Sequence, residues 1–344
     1  MRIRNFSFLI CFSLVIAGLF IHSSVSAQPS SLTKEEMLLY TPMWTGERFP
    51  DNRPKVSDDI VARMKYVSIT EAWGTLTSST DDTTRRMGFG RESTYANQYY
   101  GGFKQLYDNV TICGRASTIQ YMPVRPDVAN ALMKQAAKDG RARTHITWGI
   151  DQLVKGDVYV ANVAEGILDA SSVGDNMGTT IFTKTGNGAI IRGTVRDVEG
   201  NMAIKGFNVF VRDFRPEANA SNMVIGVNGP IQIGYVTVMP GDIVLAKREG
   251  VVFIPPHLAA KVVESSEKTR MQDVFAHNGV KEGKFTAGQA DGGFTQDMNK
   301  QFTQWLKDNA DSMGKFFDDP KVAPSPEFIK AYVKERELKP PVSR

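Results

Sequence analysis

Two short clusters lie about twenty residues apart in this chain: Gly174-Asp175-Asn176-Met177 and Arg196-Asp197. A Gly-Asp pair opening a helix leaves backbone N–H groups free, and those bind a carboxylate. An arginine adds a planar fork for an anion, and an aspartate a hard oxygen for a divalent cation. Together these residues make a site for a small acid and a metal ion. The same residues also permit a plainer arrangement, in which Arg196 pairs with Asp197 or Asp213 and Asp175 only caps its helix.

Bringing the clusters together is the task of the chain between them. Met177 and Ile181 fall on one helical face, and Gly186 suits a C-terminal stop. Eleven helical residues rise roughly 16 Å, and a strand from 188 to about 194 returns roughly 20 Å if it packs against that helix. Residues 174 to 177 then lie beside 196 and 197.

Other chemistries are poorly supplied. After residue 27 the histidines are His145, His257 and His277, far apart, and neither GxSxG nor HExxH occurs. "GNGAII" lacks a glycine of the dinucleotide loop, and Gly279 to Lys284 falls short of a phosphate loop. Cys113, between Ile112 and Gly114, reads as a buried strand residue rather than a catalytic thiol.

Around the two clusters the pattern is that of one α/β core. Ser57, Asp58 and Asp59 open a helix carrying Ile60, Val61, Met64 and Val67. Residues 78 to 108, rich in Gly, Thr and Tyr, read as a long insertion whose Tyr95, Tyr99, Tyr100 and Phe103 either line a pocket or pack the loop down. "TICGRASTIQYM" predicts a strand, and Pro126 and Gly140 bracket a helix. From "GDVYVANV" to "GVVFIP", β-branched runs dominate, so a mixed sheet or sandwich with outer helices is expected rather than a doubly wound parallel sheet. "PPHLAAKVVESSEKT" closes the core as a helix. Beyond residue 266 come a polar loop and helices bearing Phe302, Trp305, Leu306, Phe328, Ile329 and Tyr332.

The first 27 residues, with Arg2 and Arg4 before an apolar run and Val25-Ser26-Ala27 at its end, predict a secretory signal peptide and a periplasmic or secreted protein, not stably inserted in a membrane after cleavage. Taking Arg2 and Arg4 from the 41 basic residues leaves 39 against 37 acidic ones. That balance argues against nucleic acid as a partner. Of the two cysteines Cys11 lies in the leader, so no internal disulfide is expected and the core, with assembly, must supply stability.

The residues "GDNMG", "GAIIRGTVRD", "PGDIVLAKREGVVFIP" and, more weakly, "GRASTIQ" resemble the RraA-like family, which includes 4-hydroxy-4-methyl-2-oxoglutarate aldolases and RNase E regulators. The resemblance covers roughly residues 57–265, so the chain divides into a signal peptide (1–27), a leader (28–56), an RraA-like catalytic domain (57–265, with the insertion 78–108) and a helical C-terminal extension (266–344). It implies a compact α/β/β domain of mixed sheets and outer helices, assembled as a homotrimer or dimer of trimers with sites between subunits. It also implies that Gly174 to Met177 hold a pyruvyl carboxylate, that Arg196 binds substrate, that Asp197 ligates Mg²⁺ or Mn²⁺, and that Asp175 is its acidic partner. The expected activity is cleavage of a small 2-oxo acid to an enolate, as aldolase with oxaloacetate decarboxylation beside it. The alternatives are a non-catalytic binding or regulatory trimer, and a lyase or isomerase of a larger sugar-derived or aromatic acid. One departure bears on the site: the family's aldolases often carry an acid three residues after the Arg-Asp aspartate, where this chain has Gly200, next to Glu199. A tail loop offering Glu282 or Asp291 to a neighbouring subunit's Asp197 is a further expectation.

Overall fold

The computed structural model describes residues 31–79, 94–163 and 171–338 of the 344-residue chain. The signal-peptide reading and the middle of the 78–108 insertion lie outside them. Helices α1 (Lys34–Tyr40), α2 (Asp58–Met64) and α3 (Ile69–Thr77) come first. The single helix expected from Ser57 onward is two. Ser68 caps the second in a reciprocal pair with Glu71, at 2.7 and 3.1 Å, and a capping box starts a new helix rather than continuing an old one.

Strands β1 (Tyr99–Tyr100), β2 (Lys104–Gln105) and β3 (Ile112–Pro123) follow, then helices α4 (Pro126–Lys138) and α5 (Thr147–Asp151). Next come β4 (Asp157–Asn162), α6 (Asp175–Thr185), β5 (Ala189–Val195), the short α7 (Val198–Met202) and β6 (Val209–Phe214). Strands β7 (Asn222–Val227), β8 (Ile231–Ile233), β9 (Val236–Val238), β10 (Ile243–Lys247) and β11 (Gly250–Ile254) complete the sheets. Four helices end the described chain: α8 (Ala259–Lys281), α9 (Ala287–Asp291), α10 (Gln296–Asn309) and α11 (Pro326–Leu338).

The main sheet is mixed, in the order β1-β11-β10-β3-β4-β5-β6-β2, with β3 to β6 parallel and β7 paired to the far half of β3. Its two end strands are joined by residues 101–103 alone. Four residue steps span at most roughly 14 Å, whereas eight flat strands would hold the edges roughly 34 Å apart. The sheet therefore curls until its edges meet. Side chains alternate across this closed wall. Val158 and Val160, Ile190, Phe210, Val244, and Val251 and Phe253 point inside, where the β8–β9 hairpin plugs the interior with Ile231, Ile233, Val236 and Val238. Tyr159, Ala161, Ile191 and Val211 point outward under α5 and α6, and Ile243, Leu245, Val252 and Ile254 outward under α2, α3 and α8. Both faces are covered, which is why the strands read as unbroken apolar runs.

Cys113 is a buried wall residue whose thiol donates to the Val61 carbonyl, and burial pushes it up to about 12, where no thiolate serves. Tyr100 and Phe103 pack against the barrel interior, and Tyr99 against the outer helices. Helix α8 does two jobs: Val262 and Val263 cover the sheet, while Met271 and Phe275 further along form a second core with Phe302, Leu306, Ile329, Tyr332 and Val333. The apolar tail thus finds its cover on a helix of its own chain, and the 265/266 division falls inside that helix. Among the described residues no helix is long and apolar enough to cross a membrane.

Between β9 and β10 the turn Pro240-Gly241-Asp242 closes with Met239 N–H donating to Asp242 Oδ2 at 2.8 Å. Asp242 is 3% exposed, and burial raises its carboxyl to about 7. A carboxyl raised on folding binds more protons in the native state, so its penalty is absent below pH about 4 and grows as pH rises to about 7. Asp242→Asn is therefore expected to gain stability over the parent above pH about 7, by at most about 4 kcal/mol, and to lose the advantage near pH about 4. Urea denaturation at several pH values measures this. A difference that does not change with pH would contradict it.

Candidate active site

The crossover β4–α6–β5 is parallel, so the start of α6 and the end of β5 meet at the carboxyl end of the strands, where α/β folds with parallel strands keep their ligand sites. Helix α6 runs for the eleven residues expected and stops at Gly186, whose φ of 66° is the left-handed conformation glycine adopts without cost. Val173 bridges in parallel to Val195, and Arg196 N–H donates to the Val173 carbonyl at 3.0 Å. These ties draw Gly174 against the Arg-Asp pair. A Cβ on Gly174 would collide with Asp197 Oδ2 and lie 3.3 Å from both Cζ and Nε of Arg196. Of the residues predicted to meet, Gly174 stands directly against Arg196 and Asp197.

Several details of the site were not visible in the motif. Asp197 is left-handed, with φ 55° and ψ 51°, and stands at the start of α7 without using its carboxylate as a cap. Few residue types tolerate that backbone, aspartate among them. Asn201, fully buried, holds it: its Nδ2 donates to the carbonyls of Arg196 (2.9 Å) and Asp197 (3.1 Å), and its N–H to that of Asp197 at 2.9 Å. Gly178 lets this happen, because a side chain there would strike Asn201 Oδ1. Asn inside a short helical turn and Gly inside α6 were the available signals, since both are poor helix formers that need another reason to be present.

Arg196 Nη1 lies 2.9 Å from Asp197 Oδ2, each side chain about a third exposed, so the intramolecular pair exists, while Asp213 pairs instead with Lys104. Asp175 Oδ1 accepts the Asn176 N–H at 2.7 Å, leaving the first turn one amide fewer for a ligand. Its other oxygen faces Gly200, where a Cβ would come within 2.6 Å of Oδ2. The space that a side chain at 200 would need is taken by Asp175, and Glu199 is exposed to solvent. Among the described residues no histidine joins this site: His145 packs edge-on to Trp148, and His257 lies 3.3 Å from the Tyr95 hydroxyl.

Among the described residues no three of His, Cys, Asp and Glu gather as a closed metal cage. Hard oxygens from one or two carboxylates, in an open and wet position, are the donor set that suits Mg²⁺ or Mn²⁺, ions that keep several waters. Asp197, with Asp175 nearby, fits such an ion.

The model of the RraA-like family, described as Aldolase/RraA, matches residues 66–253. The chain belongs to the RraA-like family. It is 30% identical over 172 residues to Protein DlpA of Legionella pneumophila, covering 49% of this chain and 26% of that one. It is 28% identical over 118 residues to a Halalkalibacterium halodurans protein provisionally named as a 4-hydroxy-4-methyl-2-oxoglutarate aldolase, covering 34% and 55%. The chain thus spans about a quarter and about half of these relatives' lengths. Among solved structures, an uncharacterized Pseudomonas syringae protein shares the fold at TM-score 0.52 and 21% identity, over 71% of this chain and 98% of that one. Streptomyces coelicolor RraAS2, described as an unusual member of the RNase ES inhibitor RraA family, does so at 0.50 and 22%, over 65% and 98%.

Proposed function

We propose that this RraA-like protein is a divalent-metal-dependent carbon–carbon lyase of 2-oxo acids, cleaving a 4-hydroxy-2-oxo acid and decarboxylating oxaloacetate as a side activity. The observation that carries the reading is the contact between the α6 start and the Arg196-Asp197 turn, where a carboxylate held in an uncommon backbone conformation is not spent on capping its helix. Sparsely populated backbone conformations cluster at ligand clamps and active sites.

Asp197 would hold Mg²⁺ or Mn²⁺, and such an ion, when bound, supplies Lewis-acid polarisation of a carbonyl oxygen. The remaining work falls to the chain. First-turn amides of α6 orient the substrate carboxylate. Arg196 stabilises the negative charge that gathers on the keto oxygen as C3–C4 breaks, or as CO₂ leaves oxaloacetate. Asp175 is placed to hold the proton or water that the product carbon takes up. The proposal extends to a homotrimer, exported to the periplasm or beyond, with residue 28 as the mature N-terminus; light scattering and N-terminal sequencing from the envelope fraction test these two parts.

The deciding assay is pyruvate release from oxaloacetate and from 4-hydroxy-4-methyl-2-oxoglutarate. Turnover with Mg²⁺ or Mn²⁺, abolished by EDTA and restored by the metal, is the expected result. Turnover indifferent to EDTA removes the metal from the mechanism. No pyruvate from any 2-oxo acid favours the non-catalytic binding trimer, and turnover confined to sugar-derived or aromatic acids the third reading.

A smaller change probes Asp175. Gly200 is not in the left-handed region, so Gly200→Ala meets no conformational obstacle, but its methyl group would lie 2.6 Å from Asp175 Oδ2 and 2.7 Å from Asp175 Cβ, so the carboxylate and the start of α6 must both shift. A misplacement of about 1 Å costs about 10²-fold in rate, so kcat is expected to fall by about that much, with a moderate drop in melting temperature as α6 and α7 move apart. Full activity in Gly200→Ala would show that Asp175 need not stand where it does.

A further inference from the structure

A cavity of about 270 Å³ lies where the leader crosses the β9–β10 turn, and it shares no residue with the Arg196-Asp197 site. Tyr40, Met43 and Trp44 of the leader form one wall, Tyr95 and His257 another, and Met239 and Asp242 of the turn the base. Tyr40 to Trp44 and His257 fall outside the stretch 66–253 that matches the family, so the cavity is built largely from what this chain adds to the shared core.

The walls are preformed. Trp44 donates its Nε1–H to the Glu47 carbonyl at 2.8 Å and rests on Gly46, where a Cβ would lie 2.5 Å from the indole. Arg48 gathers the segment, donating to Thr41 Oγ1, to the carbonyl of Trp44 and to that of Asn52 at 2.9 to 3.1 Å. Tyr95 and His257 meet edge-on, with ring centroids 5.8 Å apart.

The base is unbalanced. Asp242 accepts one hydrogen bond, from Met239 N–H, and among the described residues no cation pairs with it. Gln98, also lining the cavity, donates its amide nitrogen to the carbonyls of Phe253 and Thr237 and so brings no charge to balance Asp242. A divalent metal needs more oxygen donors than one carboxylate. An anion would be repelled, and a neutral apolar guest would leave the carboxylate uncompensated in a dry place. An ammonium brings three donors and a charge, and aromatic walls favour a cation and its apolar body alike.

We propose that this cavity is a second ligand site, which takes a primary ammonium carried on an apolar or aromatic body, the ammonium at Asp242 and the body against Trp44, Tyr40 and Tyr95. The raised proton affinity of Asp242 is what a carboxylate lacking its counter-ion shows, and it agrees with this reading.

Calorimetric titration of the purified protein at about pH 8, with phenethylamine as the cationic probe and phenylethanol and phenylacetate as neutral and anionic counterparts, tests it. The amine is expected to bind at least about tenfold more tightly than the alcohol, with no binding of the acid. Asp242→Asn should bring the amine down to the level of the alcohol, and Trp44→Leu, on the solvent side of the cavity, should weaken both. Near-UV circular dichroism checks that each variant is folded. Equal binding of amine and alcohol, no binding of the amine, or undiminished amine affinity in a folded Asp242→Asn overturns the proposal. Since the 2-oxo acid assay uses none of these residues, either reading can fail without the other.

Discussion

Gly174→Ala is expected to reduce pyruvate release by about 10²- to 10³-fold while the protein stays folded. The backbone at Gly174, with φ −110° and ψ −174°, is open to any residue, so the variant pays no conformational penalty. Its one consequence is steric: the new methyl group occupies the position of Asp197 Oδ2 and crowds the Arg196 guanidinium. Both side chains are about a third exposed and swing outward rather than strain the core. The damage is thus confined to the geometry on which the proposed chemistry depends. Asp197→Ala should cost at least as much, and the double variant no more than Asp197→Ala alone, because groups that act as a unit are non-additive. Steady-state kinetics beside a thermal melt decide the matter; a Gly174→Ala enzyme with parental kcat/KM would sever the contact from catalysis.

Arg53→Ala is expected to destabilise the fold by about 3–5 kcal/mol. Arg53 is 2% exposed and forks onto both oxygens of Asp157 at 3.2 and 3.3 Å, while its Nε reaches Asp51 at 2.7 Å. Burial works against the charge on Arg53, yet the two aspartates outweigh it and raise its proton affinity. Asp157, at the start of β4, is wholly buried, and burial raises its carboxyl above the usual range even with the arginine present. Without Arg53 that carboxylate keeps the Val154 N–H, at 3.0 Å, and loses its buried counter-charge. Replacing both partners by apolar residues, as in Arg53→Met with Asp157→Leu, should cost less than Arg53→Ala alone, since the expense lies in the orphaned charge rather than in the absent pair. Urea denaturation of the three proteins tests the order. If Arg53→Ala unfolds with the parental midpoint, the leader is not anchored through this pair.

The local chemistry of this chain is written in short words that any neighbour-to-neighbour rule can parse. Gly174-Asp175 and Gly186 bound a helix because glycine and aspartate act on the backbone within one turn, and the run from Ala189 to Val195 is a strand because β-branched residues stiffen it locally. From those two lengths alone the approach of residues 174–177 to Arg196-Asp197 follows, and the structure sets Gly174 against that pair. The alternation of inward and outward side chains left a different trace. With both faces of the sheet covered it became an unbroken apolar run, so the sequence signalled strands and a mixed sheet but not the closure of that sheet, which depends on β1 and β2 pairing with opposite edges. The single helix expected from Ser57 onward failed for a similar reason: its apolar spacing spoke for continuity, and one capping pair, Ser68 with Glu71, outweighed it. Long-range contacts alone decided the rest. Asp175 fills the room beside Gly200, and Arg53 finds Asp157 across more than a hundred residues. None of these partners is close enough in sequence to leave a periodic signal, and each is chosen by which surfaces the closed sheet brings within hydrogen-bonding distance.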